Sequence, residues 1–493
     1  MIEAPPPFPD LDLDPVRVRK LIDGAADVVQ EYLERLPSLE IYRNRTIQEV
    51  RNSVSREIPE SGIGDEALIE YLRTIVFDTA MYTGHPGFMA YISGSGTTPG
   101  AVADLVAAAL NQNVGGWRLG PGAVELELFL TAWFASLFGL PEQAGGLVTS
   151  GGSMANFIAL KVARDRAVGI EVRTKGLGNA RLTAYTSSAI HFATTRAADM
   201  LGMGSDAVRL VETDDREKLD VDALVRRIDQ DIADGYQPFA VIATMGTVGT
   251  GAIDPLQEIS EVCRDRKLWL HIDGAYGGPA IFAEDLKPQL AGVEHADSLA
   301  FDPHKWMYTP QSGGVVLVRD LQWLSDSFSA EATFVHEDKE LTGRGLDPGM
   351  MGPQLSRSFW ALKIYFSLLA YGTKAYGKRI SHDVKLARYL AARVEEHPDF
   401  ELMAPVELSI CCFRYAPADL PMTVERESYL NALNERLMAE VQMDGRVYYS
   451  NAVIGERFVL RCCMVNFRTE AEHIDRVIDV TKRLGERLDN EMR

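Results

Sequence analysis

The chain has 493 residues, of which 46% are apolar and 24% charged; these are ordinary values for a protein that buries a sizeable core, and they exclude wholesale disorder. Seventy acidic residues against fifty basic ones leave a net charge of −20, a surface that repels phosphate backbones and anionic lipid, so neither nucleic acid nor membrane is an expected partner. The five cysteines (Cys263 and the adjacent pairs Cys411-Cys412 and Cys462-Cys463) show no CxxC spacing and read as buried free thiols of a reducing compartment. Met1 to Asp14 is Pro-rich and acidic, without the basic and apolar regions of a signal peptide. No apolar run reaches the roughly 18 residues a bilayer span needs. A cytoplasmic protein with no metal is expected.

In chain order, Asp14-Pro15 reads as an N-cap and first helical residue. Val18, Leu21, Ile22, Ala25, Val28, Val29 and Leu33 then share one face of an amphipathic helix over Val16 to Leu36. A second helix is expected over Gly64 to Tyr82. Both have apolar faces and little local core, so they should pack on the rest of the fold or on a partner subunit. The Gly-, Pro- and aromatic-rich Thr83 to Thr98 reads as an irregular segment, followed by helices over Pro99 to Asn111 and Val124 to Gly139.

The middle third alternates short apolar strands with helices. Strands are expected at Gly146–Thr149, Arg181–Tyr185, Ala240–Thr244, Trp269–Ile272, Ser298–Phe301 and Gly314–Val318, which means an α/β fold with a largely parallel sheet covered on both faces. Asp320 to Arg357 loses the pattern and reads as a polar, Gly-rich lid. Helix is expected over Phe359 to His397. A small α+β region follows: strand Val406–Arg414, helix Val424–Glu440, strands Val447–Ser450 and Phe458–Phe467, helix Ala471–Leu488.

Three motifs carry chemistry. Thr149-Ser150-Gly151-Gly152-Ser153 follows a strand and opens a helix, where free N–H groups and the helix dipole favour a phosphate; the same turn approximates a Gly-x-Ser-x-Gly nucleophile elbow with Ser153 as attacking group. His271-Ile272-Asp273-Gly274-Ala275 places a carboxylate at a strand end, where open α/β sheets bind ligands, able to pair with a protonated pyridine nitrogen or simply to cap the next turn. Asp302-Pro303-His304-Lys305-Trp306 places a Lys at another strand end, either an imine-forming nucleophile or a solvated side chain.

Taken together, and with His85-Pro86, Phe88-Met89-Ala90-Tyr91, Glu125-Leu126-Glu127, Leu355-Ser356-Arg357 and Ala361-Leu362-Lys363, these motifs make the chain resemble the group II pyridoxal-phosphate-dependent amino-acid decarboxylases over nearly its whole length. The resemblance implies a fold-type I enzyme with a mostly parallel seven-stranded sheet. Its parts would be a helical segment 1–84 packed on the partner of a homodimer, a large cofactor-binding domain 85–375 and a small domain 376–493. It implies pyridoxal 5'-phosphate held on Lys305 as a Schiff base, Asp273 at its pyridine nitrogen and Ala275 against its ring. It further implies His191 stacked on the other face, Gly152 and Ser153 at the phosphate, Thr247 beside the cofactor, and His304 at the phosphate or lid. Tyr91, Ile92, Trp117 and Ser356 would lie by the substrate, partly across the dimer interface. The implied reaction turns an L-amino acid, aromatic or related, into its amine and CO2.

Two departures stand out. Asp302 replaces the Asn that many members have, adding negative charge near the phosphate. No Tyr occurs between Tyr308 and Tyr365, where members that simply decarboxylate have a lid Tyr proposed to protonate Cα. Phe328, Phe334 and His336 are the nearest equivalents, and loss of that Tyr accompanies O2-dependent aldehyde synthesis in relatives.

Overall fold

In the computed structural model, which describes residues 11–330 and 345–493, seven strands form one sheet: β1 (Gly145–Thr149), β2 (Leu182–Ser187), β3 (Val208–Val211), β4 (Gln237–Thr244), β5 (Trp269–Asp273), β6 (Ser298–Phe301) and β7 (Gly314–Val318). Their spatial order is β1-β7-β6-β5-β4-β2-β3. β7 runs antiparallel to both its neighbours, β1 and β6, and the other pairings are parallel. β6 and β7 occupy the expected residues, and β1, β2, β4 and β5 differ only at their ends. β3 went unforeseen because it is a four-residue edge strand with Leu210 exposed and Arg209 half-buried, whereas strands covered on both faces read as continuous apolar runs.

Side chains alternate across the sheet with period two. Leu147, Ala184, Ala240, Ile242, Ala300 and Val316 pack with Ala155, Ile158 and Ala159 of helix Gly152–Val168. Val148, Tyr185, Val241, Leu270, Leu299 and Val315 pack on the opposite side with Leu130 and Phe134 of helix Pro121–Leu137. The turns after β1, β4, β5 and β6 therefore emerge at one edge.

The C-terminal part forms a second, antiparallel sheet of β8 (Phe400–Leu402), β9 (Ile410–Tyr415), β10 (Ser450–Ile454) and β11 (Arg457–Cys463), ordered β10-β11-β9-β8. Compared with expectation, β8 is additional and the strand after Val447 starts later. The helix expected over Phe359 to His397 is two helices, Trp360–Tyr371 and Thr373–Glu395, divided at Gly372, whose positive φ of +73° suits glycine and breaks the helical run.

At the N-terminus, Asp14 caps helix Pro15–Arg35 as expected, accepting from Val16 N at 2.9 Å and Arg17 N at 3.0 Å. The helix expected over Gly64 to Tyr82 is Asp65–Arg73 continued by a π-helical turn Thr74–Thr79. The helix Ile47–Val54 was not foreseen, although Thr46 and Glu49 form a reciprocal capping box whose Thr-x-x-Glu signature stands in the sequence. All five cysteines are buried and free. Among the described residues no helix is long and apolar enough to cross a membrane.

Candidate active site

The strand ends converge on a cavity of about 370 Å³ lined by Gly151, Gly152, Ser153, His191, Asp273, Ala275, Asp302, His304 and Lys305, with Asn156, Thr244, Gly246 and Val248 among the remaining wall residues. Every motif that carried chemistry in the sequence meets here, brought together by the parallel register of β4, β5 and β6.

The turn after β1 feeds helix Gly152–Val168, whose start has no side-chain cap and no acidic residue in its first turn; its N–H groups and dipole favour an anion at that spot. Gly152 has to be bare. A Cβ there would lie 2.8 Å from Asp302 Oδ2 and 3.1 Å from the Ala275 methyl, so any side chain would fill the cradle. At another wall, the Asp273 carboxylate is 5% exposed and held at both oxygens: Oδ1 accepts from Ala275 N and Oδ2 from Asn156 Nδ2, each at 3.0 Å. Lys305 Nζ stands 3.1 Å from Asp302 Oδ2. Asp302 is buried, Oδ2 is also 3.9 Å from His304 Nε2, and Oδ1 has no hydrogen-bond partner. The charge this Asp adds is thus offset by the lysine.

His304 is fixed by a 2.6 Å contact between Nδ1 and the Gly313 carbonyl. His191 Nδ1 accepts from Ala193 N at 3.1 Å. Burial, followed by the nearby Lys305 ammonium, lowers the His191 pKa from its usual value, keeping the imidazole neutral on the cavity wall. The nucleophile-elbow alternative finds no base, since among the described residues no imidazole is hydrogen-bonded to Ser153. An anion cradle, a fixed carboxylate and a single amine on one wall fit pyridoxal 5'-phosphate, with its phosphate, pyridine nitrogen and aldehyde.

Other residues expected near the cofactor or substrate stand off this wall within the single chain. Thr247 is not on this wall. Its hydroxyl pairs with Thr250 Oγ1 at 3.0 Å and accepts from Ala252 N at 3.1 Å, locking the turn that presents Gly246 and Val248 instead. Tyr91, Ile92, Trp117 and Ser356 do not line the cavity of their own chain. Tyr91 is half exposed and donates its N–H to Ser450 Oγ at 3.2 Å; Ile92 packs on the main core. Trp117 is held by Asp347 Oδ1 at its N–H (2.8 Å) and Glu125 Oε1 at its indole (2.7 Å). Part of the expected lid is a helix, Gln322–Phe328, and Phe328 packs under the Lys161 ammonium rather than at the site. Phe334 and His336 lie outside the described residues.

One charged residue was missed. Arg461 on β11 is 3% exposed; Nη1 donates to Ser450 Oγ at 3.1 Å while Nε and Nη2 have no partner. It lines an adjoining cavity that shares Val248 with the first. A lone Arg inside the apolar run Phe458 to Cys463 was the signal available in the sequence.

Comparison with known proteins gives a family model described as the pyridoxal-dependent decarboxylase conserved domain, matching residues 48–416. An aromatic-L-amino-acid decarboxylase of Bacillus atrophaeus is 34% identical over 479 residues, 97% of this chain and 98% of that one. A phenylacetaldehyde synthase of a Rosa hybrid cultivar is 29% identical over 398 residues, 79% of this chain and 78% of that one. Among solved structures, Oryza sativa TDC with PLP and tryptamine superposes with a TM-score of 0.90 at 25% identity, covering 98% of this chain and 100% of that one.

Proposed function

The chain belongs to the pyridoxal-dependent decarboxylase family and is a PLP-dependent carboxy-lyase of an amino acid; from that premise we propose that it decarboxylates an aromatic L-amino acid to the corresponding amine. The observation that carries the proposal is the single cavity that joins Lys305, Asp273, His191 and the uncapped start of helix Gly152–Val168.

When bound, pyridoxal 5'-phosphate supplies an electron sink for the pair left on Cα as the carboxylate departs as CO2. The chain's own residues do the rest. Gly152 and Ser153 hold the phosphate with N–H groups and a hydroxyl. Lys305 Nζ would anchor the cofactor at its aldehyde, the same group that a substrate amine must reach. Asp273 keeps the pyridine nitrogen protonated, stabilising negative charge where it develops. The neutral His191 ring forms one wall and His304 supports the phosphate end. Arg461, with two unpaired donors, gives an adjoining cation to attract a carboxylate-bearing substrate.

The active molecule is a homodimer in this reading. Val102, Leu105, Val106 and Leu110 of helix Thr98–Leu110 are each about half exposed, beside exposed Phe129, Phe366 and Leu369. A contiguous apolar face of this kind marks an interface, and a partner seated on it would bring Tyr91, Ile92, Trp117 and Ser356 toward the neighbouring cavity. Leu105→Glu should shift the protein from dimer to monomer in sedimentation velocity and lower activity at least tenfold. A variant that remains dimeric and fully active would remove this face from the assembly.

A second reading, O2-dependent aldehyde synthesis, is favoured by the Tyr-free stretch between Tyr308 and Tyr365 and by the similarity to a phenylacetaldehyde synthase. Incubation with the twenty L-amino acids and DOPA, assayed for CO2, amine, aldehyde and peroxide, separates the two. Equimolar amine and CO2 without peroxide from an aromatic substrate is the expected result. Aldehyde with peroxide establishes the second reading, and no CO2 from any substrate defeats both.

A further inference from the structure

Behind Asp273 runs a row of buried polar side chains that the reaction as described does not use. Trp269 Nε1 donates to Ser298 Oγ at 2.8 Å, and Ser298 Oγ lies 2.9 Å from His271 Nδ1. His271 Nε2 lies 2.6 Å from Asn156 Oδ1, and Asn156 Nδ2 donates to Asp273 Oδ2 at 3.0 Å. Trp269, Ser298, His271 and Asn156 are all buried.

The two ends fix every proton between them. An indole N–H can only donate and an ionised carboxylate can only accept. The Asn156 amide must therefore turn its NH2 to Asp273 and its oxygen to His271. His271 must carry its proton on Nε2 and accept at Nδ1 from the Ser298 hydroxyl, whose lone pair takes the indole N–H. One arrangement satisfies all four bonds, and in it every donor points toward Asp273. Burial also pushes the His271 pKa down to about 4, so the ring adds no cation to compete with a protonated pyridine.

We infer that Asn156 and His271 are positioning residues of the reaction: through an aligned series of hydrogen bonds they hold Asp273 as an oriented, anionic acceptor for the cofactor's ring nitrogen. The inference rests on the reading of Asp273 as the partner of that nitrogen. With Ala275 N on Oδ1 and Asn156 on Oδ2, the carboxylate cannot rotate. Aligned hydrogen bonds polarise one another in a low-dielectric interior, so the charge on Asp273 is stabilised by dipoles without a counter-cation. Simple filling of the interface between β5, β6 and helix Gly152–Val168 would require matching shapes, but no particular proton order.

Two substitutions separate proton order from packing. His271→Gln keeps it, with an amide N–H toward Asn156 and an oxygen toward Ser298. His271→Leu has similar bulk and breaks it. The holoenzyme is reconstituted with pyridoxal phosphate labelled with 15N in the ring, and its nitrogen resonance is read alongside kcat and KM. Wild type and H271Q should both show a pyridinium resonance at neutral pH. H271L should move toward the unprotonated position and lose roughly 10–100-fold in kcat, the range for groups acting through a first contact, with KM little changed. An H271L resonance identical to wild type overturns the inference. A wild-type resonance that is not pyridinium overturns instead the pairing of Asp273 with the ring. Should H271L not fold, Asn156→Ala, which removes the link next to Asp273, is read by the same resonance with the same two outcomes.

Discussion

Replacing Lys305 by alanine is expected to lower decarboxylation by on the order of 10³-fold or more and to leave protein to which borohydride cannot couple the cofactor. Lys305 is the sole lysine on the cavity wall among the described residues. Its loss removes the group that forms the imine and the one that displaces product. It also leaves the buried Asp302, whose Oδ1 is already unpaired, without its cation at 3.1 Å, so K305A should melt lower as well. Lys305→Arg keeps the positive charge beside Asp302 but supplies no imine-forming amine. It should recover stability without recovering activity. Peptide mapping of the borohydride-treated wild type should place the cofactor mass on the peptide containing Lys305. A label on another lysine, or K305R retaining more than about a tenth of the activity, would reassign the anchor.

Much of the site was legible because its chemistry sits at strand ends, and strand ends are marked in sequence by apolar runs stopping at Gly, Asp or Pro. Gly152, Asp273 and Lys305 each follow such a run, and the sheet then carries them to one edge. What escaped depends on neighbours and exposure that the motifs do not encode. The Thr247 hydroxyl is diverted by Thr250, a local pairing that the motif Met245 to Gly249 does not announce. Arg461 becomes a candidate only when β11 folds against Ser450 and its other donors find nothing. Tyr91, Trp117 and Ser356 stand off the cavity of their own chain, and in the proposed homodimer they would meet a site only across the interface. Asn156 and His271 were visible as residues but not as a pair, because the bond joining them spans 115 positions. Edge strand β3, half exposed and four residues long, lacked the apolar continuity that revealed its neighbours.

The two motifs Glu125-Leu126-Glu127 and Leu355-Ser356-Arg357 lie 230 positions apart at their ends, yet meet in a buried ion pair, Glu127 Oε1 to Arg357 Nη2 at 2.5 Å. β1 is an edge strand, and Val148 offers groups that no neighbouring strand takes up. Glu127 Oε1 accepts the Val148 N–H at 3.0 Å, and Arg357 Nη2 donates to the Val148 carbonyl at 2.6 Å. The pair thus stands in for the missing strand, satisfying buried backbone groups that would otherwise be orphaned. Arg357 also ties the described segment after residue 345 to Val114, whose N–H donates to the Arg357 carbonyl at 2.9 Å. Glu127→Gln should therefore destabilise the protein by about 3–5 kcal/mol, the usual cost of leaving one member of a buried pair uncompensated, measured as a lower denaturant midpoint. Glu127→Leu combined with Arg357→Leu should cost less than the sum of the two single changes, because each single change strands a charge that the double change removes. Additive losses would mean that the two residues act independently. Since Val148 precedes the Ser150 to Ser153 turn by two residues, a weakened β1 edge should also loosen the phosphate cradle. E127Q should then bind pyridoxal phosphate less tightly even under conditions where it remains folded.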